Sequence, residues 1–131
     1  MDRIRILLVD DERIVRQGLR MRLSLEADMS IVGEAGNGTD AIAELQSLQP
    51  DVVIVDYSMP GIDGLQTVRE ARAAGFSCSF VMFSGHHNEA IASLAIEAGA
   101  AAYVRKHEAD TVLLSAIRQA AAFRPGGEHP S

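Results

Sequence analysis

The chain places its most chemically capable polar residues directly after short apolar runs. They are two adjacent carboxylates, a third carboxylate, a hydroxyl and an ammonium group: Asp10, Asp11, Asp56, Ser84 and Lys106. Three carboxylates that meet at one point repel each other unless a cation lies among them. Mg²⁺ is a hard cation that prefers oxygen ligands, and Mn²⁺ accepts similar donors. The residue types therefore predict a site for Mg²⁺, with Mn²⁺ as a substitute.

The same residues have the chemistry needed to accept a phosphoryl group. A carboxylate such as Asp56 is a weak nucleophile, but phosphoryl transfer needs mainly alignment and neutralisation of charge on the transferring oxygens. The cation and Lys106 supply positive charge, and Ser84 offers a hydroxyl donor. Each residue alone has an ordinary alternative as a helix cap, a turn residue or a solvated charge. Their joint placement is what carries the prediction.

These residues can meet only if the apolar runs are strands of one parallel sheet. Buried runs predict strands over residues 4–9, 30–35, 52–55, 79–83 and 101–104. Helical periodicity predicts helices over 12–26, 39–48, 64–74, 88–98 and 110 to about 123. The alternation predicts an α/β fold, a flavodoxin-like doubly wound sheet of five parallel strands in the order 2-1-3-4-5 with five helices. Sites in such sheets form at the carboxyl ends of the strands, near the switch point between strands 1 and 3.

Local signals mark three of the helix ends. Asp63 is predicted to be the N-cap of the third helix, because its carboxylate can accept the free amides of the first turn. Gly75 and Gly99 are predicted to end the third and fourth helices.

Composition limits the classes of function. The 131 residues carry 12 basic and 18 acidic side chains, a net charge of −6, which argues against a nucleic-acid-binding surface in this chain. The single cysteine, Cys78, lies in an apolar run and is predicted to be core packing rather than a nucleophile; one cysteine allows no disulfide within the chain, as suits a reducing compartment. No stretch approaches the roughly 20 apolar residues of a membrane span, and no signal-peptide core is present. We expect a cytoplasmic protein without a membrane partner.

The motifs around these residues resemble the receiver domains of two-component response regulators. The resemblance covers about residues 3–123 and rests on Leu8-Val9-Asp10-Asp11-Glu12, Asp56-Tyr57-Ser58-Met59-Pro60-Gly61-Ile62-Asp63-Gly64, Phe83-Ser84-Gly85 and Tyr103-Val104-Arg105-Lys106. It implies a signalling switch rather than an enzyme. It also implies that a cognate histidine kinase donates the phosphoryl group.

The resemblance assigns a role to each site residue. Asp56 would be the phosphoacceptor. Mg²⁺ would be bound directly by Asp11, Asp56 and the main-chain carbonyl of Ser58, with Asp10 acting through water. Ser84 and Lys106 would hold the phosphoryl oxygens. Ser84 and the switch aromatic, Tyr103, would change the surface of helix 4, strand 5 and helix 5, with dimerisation of two copies as one possible output.

Two further segments are similar to the NarL/LuxR-type subfamily. They are Val15-Arg16-Gln17-Gly18-Leu19-Arg20 and Val32-Gly33-Glu34-Ala35. That subfamily usually carries a C-terminal helix-turn-helix domain that binds DNA, and this chain has none. We expect a receiver domain over residues 1–123, and a flexible tail or the start of a linker over 124–131. Either the chain is a stand-alone receiver or its output domain lies outside it.

Four positions near the site are variable or depart from the usual pattern. Ser58, two residues after the acceptor, and His86, two residues after Ser84, stand where receiver residues influence the attack of water on phosphorus. His86 would tune phosphoryl lifetime, or it is a solvated loop residue. The departures are Gly85, where alanine is common, and His107, where proline or aspartate is frequent.

Three rival interpretations stay open from the residues alone. A phosphatase of the haloacid-dehalogenase type also phosphorylates an aspartate after a strand, but it carries a second aspartate where this chain has Ser58. A flavin- or nucleotide-binding module would need a phosphate-cradling loop after strand 1, where this chain has repelling acids. The third is a receiver-like structural module that no longer accepts phosphate.

Overall fold

The computed structural model describes residues 2–85 and 88–122, in which five strands alternate with five helices. The strands are β1 (Ile4–Val9), β2 (Met29–Ala35), β3 (Val52–Val55), β4 (Ser79–Ser84) and β5 (Ala102–Arg105). The helices are α1 (Arg13–Leu23), α2 (Gly38–Leu48), α3 (Gly64–Ala73), α4 (Glu89–Ala98) and α5 (Asp110–Ala122). The positions His86, Phe123 and 124–131, and so the expected domain boundary, lie outside the described residues.

The sheet is parallel throughout and its strand order is β2-β1-β3-β4-β5, which confirms the predicted fold. Successive side chains of a strand point to opposite faces, so the apolar strands supply two cores. One core joins the sheet to α2, α3 and α4, and includes Leu7, Val53, Phe80, Leu45, Val68 and Ala95. The other joins it to α1 and α5, and includes Ile6, Ile54, Val81, Leu19 and Ile117.

Helix α1 is shorter than its periodicity predicts, and it ends at Leu23 rather than at Glu26. Beyond that point the backbone amides of Leu25 and Glu26 donate to the carbonyls three residues earlier, at 3.3 and 3.0 Å. Such bonds tighten a helix end into a 3₁₀ turn, which turns the chain toward β2. Every other predicted bound of a strand or helix lies within one residue of the structure where it can be compared.

The predicted caps Asp63 and Gly99 are confirmed, whereas the residue that caps the end of α3 is Ala74, one position before the predicted Gly75. The Asp63 carboxylate accepts a hydrogen bond from the amide of Gln66 at 2.8 Å. Gly99 ends α4 in the left-handed conformation with φ of 111°, and Gly75, just beyond α3, has φ of 89°. A side chain would strain the backbone at both glycines.

Arg72 joins the end of α3 to the ends of neighbouring elements. Its guanidinium donates to the carbonyls of Phe76, Cys78 and Gly99 at 2.9, 2.6 and 3.1 Å, and lies 5.1 Å from the ring centroid of Phe80. Burial lowers the pKa of Arg72 and outweighs the opposing contact with Cys78. Cys78 is buried in the core, as predicted.

Among the described residues, no helix combines the length and the apolar character that a bilayer crossing requires.

Candidate functional site

Backbone hydrogen bonds beyond the strand ends place the site residues at one edge of the sheet. The amide of Asp10 donates to the carbonyl of Ala35 at 3.1 Å, and the amide of Asp56 donates to Val9 at 3.0 Å. The amide of Lys106 donates to the carbonyl of Ser84 at 2.8 Å. Each bond continues the pairing of two neighbouring strands by one residue. The carboxyl ends of β1, β3, β4 and β5 therefore hold their polar residues in fixed positions.

The ammonium of Lys106 bridges two buried carboxylates. Its Nζ lies 2.8 Å from Asp10 Oδ2 and 3.2 Å from Asp56 Oδ2. Asp10 and Asp56 are only 2% and 5% exposed. The sequence predicted that Lys106 would meet phosphoryl oxygens, but it did not predict this ion pair with Asp10. The lysine partly offsets the repulsion between the two acids.

Burial governs the protonation of Asp56. Removal from water raises the pKa of Asp56, the charge of Asp10 adds to the rise, and Lys106 opposes it without cancelling it. Burial alone would lower the pKa of Lys106, but its bond to Asp10 and the charges of Asp56 and Asp10 outweigh burial and raise it. The lysine is therefore firmly cationic. Its charge does not fully compensate the cost of burying the negative charge of Asp56.

The carboxylates of Asp10, Asp11 and Asp56 fit the requirements of a divalent cation. One oxygen from each lies within 4.8 Å of the others, and Asp11 is exposed while its two companions are buried. Hard cations take such oxygens and keep waters on an open side. The exposed side of Asp11 leaves room for them. This cluster agrees with the acidic metal site that the sequence predicts.

The segment after Asp56 is anchored by α3. The amide of Gly64, the first residue of α3, donates to the carbonyl of Tyr57 at 2.8 Å. The amide of Ser58 lies 3.4 Å from Asp56 Oδ1, and the Ser58 side chain is exposed. The ligand role of the Ser58 carbonyl stays a prediction.

The predicted switch residues lie on β4 and β5, the two strands that follow β3 in the sheet. Ser84 is fully buried at the end of β4. Tyr103, on β5, is half-buried against the core and pairs with Met82 of β4. A Cβ at Gly85 would meet only Lys106 Cδ at 4.0 Å, so this departure from alanine is not a steric requirement. His107 is exposed, and the proposed lifetime role of His86 lies outside the described residues.

Sequence reasoning missed two arginines near the loop that carries Asp10 and Asp11, which we call the acidic loop. Arg16 Nη1 donates to the main-chain carbonyl of Asp10, and both Arg16 and Arg20 pair with Glu34. One signal was available: α1 has no acid in its first turn, although the positive end of the helix dipole favours acids there. An arginine close to the positive end of a helix dipole is unfavourable unless a carboxylate or a carbonyl group compensates its charge.

Replacing Asp56 by asparagine is expected to stabilise the metal-free protein at neutral pH. As pH rises above about 4, the unfolded state loses the Asp56 proton first, because burial raises the folded-state pKa. Above the folded-state pKa the wild type therefore bears the full cost of a buried charge, which Asp56→Asn removes. Urea unfolding in EDTA should show a gain in the free energy of unfolding at pH 7 that fades toward about pH 4.

The exposed Asp11 provides the control for that measurement. Asp11→Asn removes a charge from the same cluster without relieving burial, so its gain at pH 7 should be smaller. A neutral-pH stability of Asp56→Asn at or below that of wild type would contradict the assignment of a costly buried charge.

Comparisons with known proteins place the chain among receivers. The family model described as "Response regulator receiver domain" matches residues 6–118. The chain is similar to the nitrate/nitrite response regulator protein NarL of Escherichia coli, with 38% identity over 117 residues, covering 89% of this chain and 54% of the relative. It is also similar to the response regulator UvrY of Escherichia coli, with 37% identity over 115 residues, covering 88% and 53%.

Structural comparison agrees. A two-component response regulator of the LuxR family from Aurantimonas superposes with a TM-score of 0.88 and 33% identity, covering 92% of this chain and 86% of that one. The chain spans about half the length of the two curated relatives. Domains beyond the matched region therefore belong to those proteins and not to the described structure.

Proposed function

Because this chain belongs to the response-regulator receiver domain family and its relatives are of the NarL/LuxR type, we propose that it accepts a phosphoryl group on Asp56. The donor is a histidine kinase. One oxygen of the Asp56 carboxylate forms a bond to phosphorus as the bond from phosphorus to the kinase imidazole breaks. The proton that the leaving imidazole needs comes from water.

The observation that carries this proposal is the bridge formed by Lys106 between two buried acids. A partly buried cation at 2.8 and 3.2 Å from two buried carboxylates is a fixed source of positive charge beside the acceptor. When a phosphoryl group arrives, new anionic oxygens enter a site where Lys106 is already in place. Preformed charge of this kind lowers the cost of the transition state because no reorganisation is needed.

The acidic cluster supports Mg²⁺ as the companion cation. Asp11 and Asp56 would hold it directly with the Ser58 carbonyl, and Asp10 would act through water. The bound ion neutralises charge on the transferring oxygens. Asp10 accepts the amide of Glu12 at 2.9 Å and Lys106 at 2.8 Å, so its own carboxylate is already oriented by two donors.

The output of the proposed reaction is a change on the face that carries α4, β5 and α5. Ser84 would move its hydroxyl toward the phosphoryl group, and Tyr103 on the adjacent strand would follow. A ligand shifts such an equilibrium only by differential contacts with the two states, and the Ser84 bond exists only with phosphate. We propose that the change promotes dimerisation or controls a C-terminal DNA-binding domain outside residues 1–123. Ser58 and His86 would set the lifetime of the phosphoryl group.

Metal removal is the first test of this function. Wild type incubated with acetyl phosphate and Mg²⁺ is expected to give a retarded band on Phos-tag electrophoresis, and EDTA should abolish it. Asp11→Asn should reduce the labelling rate at fixed Mg²⁺ by at least about 10- to 100-fold, the usual cost of losing a group that only orients a metal ligand. Excess Mn²⁺ should restore the labelling of EDTA-treated wild type.

The folded state of Asp11→Asn is checked by its unfolding transition, because an exposed side chain should leave it nearly unchanged. Labelling of wild type in EDTA at the full rate would rule out the cation. Equal labelling rates for Asp11→Asn and wild type in Mg²⁺ would show that Asp11 does not bind the cation.

A further inference from the structure

The two segments similar to the NarL/LuxR subfamily meet at one cluster of charges behind the acidic loop. Arg16 and Arg20 lie on α1, and Glu34 lies near the end of β2. Glu34 accepts Arg16 Nε at 3.0 Å through one oxygen and Arg20 Nε at 2.7 Å through the other. The proposed phosphoacceptor chemistry uses none of these three side chains.

Arg16 differs from Arg20 in one contact. Its Nη1 donates to the main-chain carbonyl of Asp10 at 2.5 Å, while its Nε is held by Glu34. The Arg16 side chain is 18% exposed and that of Arg20 is 46% exposed. Arg16 is therefore the more buried member of the pair and the one that reaches the site.

We propose that Arg16 is a positioning residue for the cation site, because it fixes the main chain of the loop that carries Asp10 and Asp11. The amide of Asp10 is tied to Ala35 at 3.1 Å, and Arg16 ties the carbonyl of the same residue. Because hydrogen bonds hold both the amide and the carbonyl of Asp10, the backbone position of the next residue, Asp11, is constrained as well. The inference rests on the proposed function, since it concerns the cation that accompanies phosphoryl transfer.

The sign of the expected effect separates positioning from simple electrostatics. Arg16 carries a positive charge close to a cation site, so its charge alone opposes cation binding. If charge dominated, loss of Arg16 would tighten binding. If positioning dominates, loss of Arg16 weakens binding, because repelling carboxylates must then be gathered by the cation itself.

The test is calorimetric titration of Mg²⁺ into the unphosphorylated chain, which measures binding without any phosphoryl transfer. Arg16→Gln is expected to raise the Kd for Mg²⁺ about tenfold, the lower end of the effect of removing a group that orients metal ligands. Arg20→Gln removes the same charge and frees one oxygen of Glu34. Among the described residues, Asp10 accepts its arginine hydrogen bond from Arg16 and not from Arg20. The Kd of Arg20→Gln should stay within about twofold of wild type or fall.

A pair of charge-conserving variants tests the positioning role without any change of electrostatic repulsion. It also provides a second measurement in case Arg16→Gln misfolds. Arg16→Lys keeps the charge but loses the planar fork that reaches Asp10 and Glu34 together, so its Kd should rise several-fold. Arg20→Lys should bind like wild type. In metal-free NMR spectra, the amide shifts of Asp11 and Glu12 should move in the Arg16 variants and stay in place in the Arg20 variants.

The outcomes distinguish this inference from the proposed function. If Arg16 and Arg20 variants lose affinity equally, or if Arg16→Lys binds like wild type, the positioning role is overturned while the cation site stands. If wild type itself takes up no Mg²⁺, the cation part of the proposed function fails, and the positioning role fails with it.

Discussion

Asp56→Asn is expected to gain no phosphoryl adduct under conditions in which the wild type gains about 80 Da, the mass of one phosphoryl group. Asparagine keeps the size of the side chain, but its amide cannot form an acyl phosphate. Asp56 is the buried carboxylate at the end of β3, 3.2 Å from Lys106. Asp10 is also buried beside Lys106, but its carboxylate already accepts hydrogen bonds from that lysine at 2.8 Å and from the amide of Glu12 at 2.9 Å. Intact-mass spectrometry of samples taken over a time course with acetyl phosphate and Mg²⁺ measures both the mass and the rate.

A matched control comes from the same loop. Asp63 caps α3 through the amide of Gln66, and asparagine caps helices as well as aspartate does. Asp63→Asn should therefore fold normally and gain the adduct at the wild-type rate. Slow labelling of another carboxylate in Asp56→Asn is compatible with the assignment, but labelling at the wild-type rate is not.

The position of this site could be predicted because it depends on strand ends, and strand ends are visible in the sequence. The run Val52–Val55 is entirely β-branched and ends at Asp56, and the structure has the same bounds. Parallel order then brings Asp10 and Asp56 together at neighbouring strands without any knowledge of side-chain contacts. The five strands and five helices were predictable because buried apolar runs and helical periodicity are both local features of the sequence.

Contacts between distant residues could not be predicted in this way. Lys106 and Asp10 are 96 positions apart, and their ion pair depends on how far each side chain extends from its strand. The bonds of Arg16 to Asp10 and Glu34 depend on the rotation of α1 against β2, which periodicity fixes only roughly.

The glycines also divide into those whose role has a local sequence signal and those whose role depends on a contact with a distant part of the chain. The sequence marks Gly75 and Gly99 as helix ends because positive φ has a local cause. Gly64 has no such local sign, since it is the first residue of α3. It is required because another part of the backbone lies against it, and only the folded structure contains that contact.

Gly64→Ala is expected to lower the free energy of unfolding by about 3 kcal/mol, at the upper end of the usual cost of overpacking. A Cβ at this position would lie 2.3 Å from the carbonyl oxygen of Asp56 and 2.9 Å from Tyr57 Cα. Both obstacles are backbone, so a rotamer change cannot relieve them. Relief requires α3 to move away from the segment that carries the acceptor. Urea denaturation measures the loss, and the molecules that still fold should accept phosphate more slowly because Asp56 is displaced.

Gly18→Ala is the control, since it places the same methyl group in the middle of α1. A Cβ there meets nothing within 4 Å, so only the helix propensity changes. Alanine in a helix interior is more stable than glycine by roughly 0.5–1 kcal/mol, so this variant should unfold at a higher urea concentration than wild type. The two substitutions should therefore move stability in opposite directions. If Gly64→Ala were as stable as wild type, α3 would not be packed against the Asp56 backbone, and the anchoring of the acceptor segment by this helix would have to be abandoned.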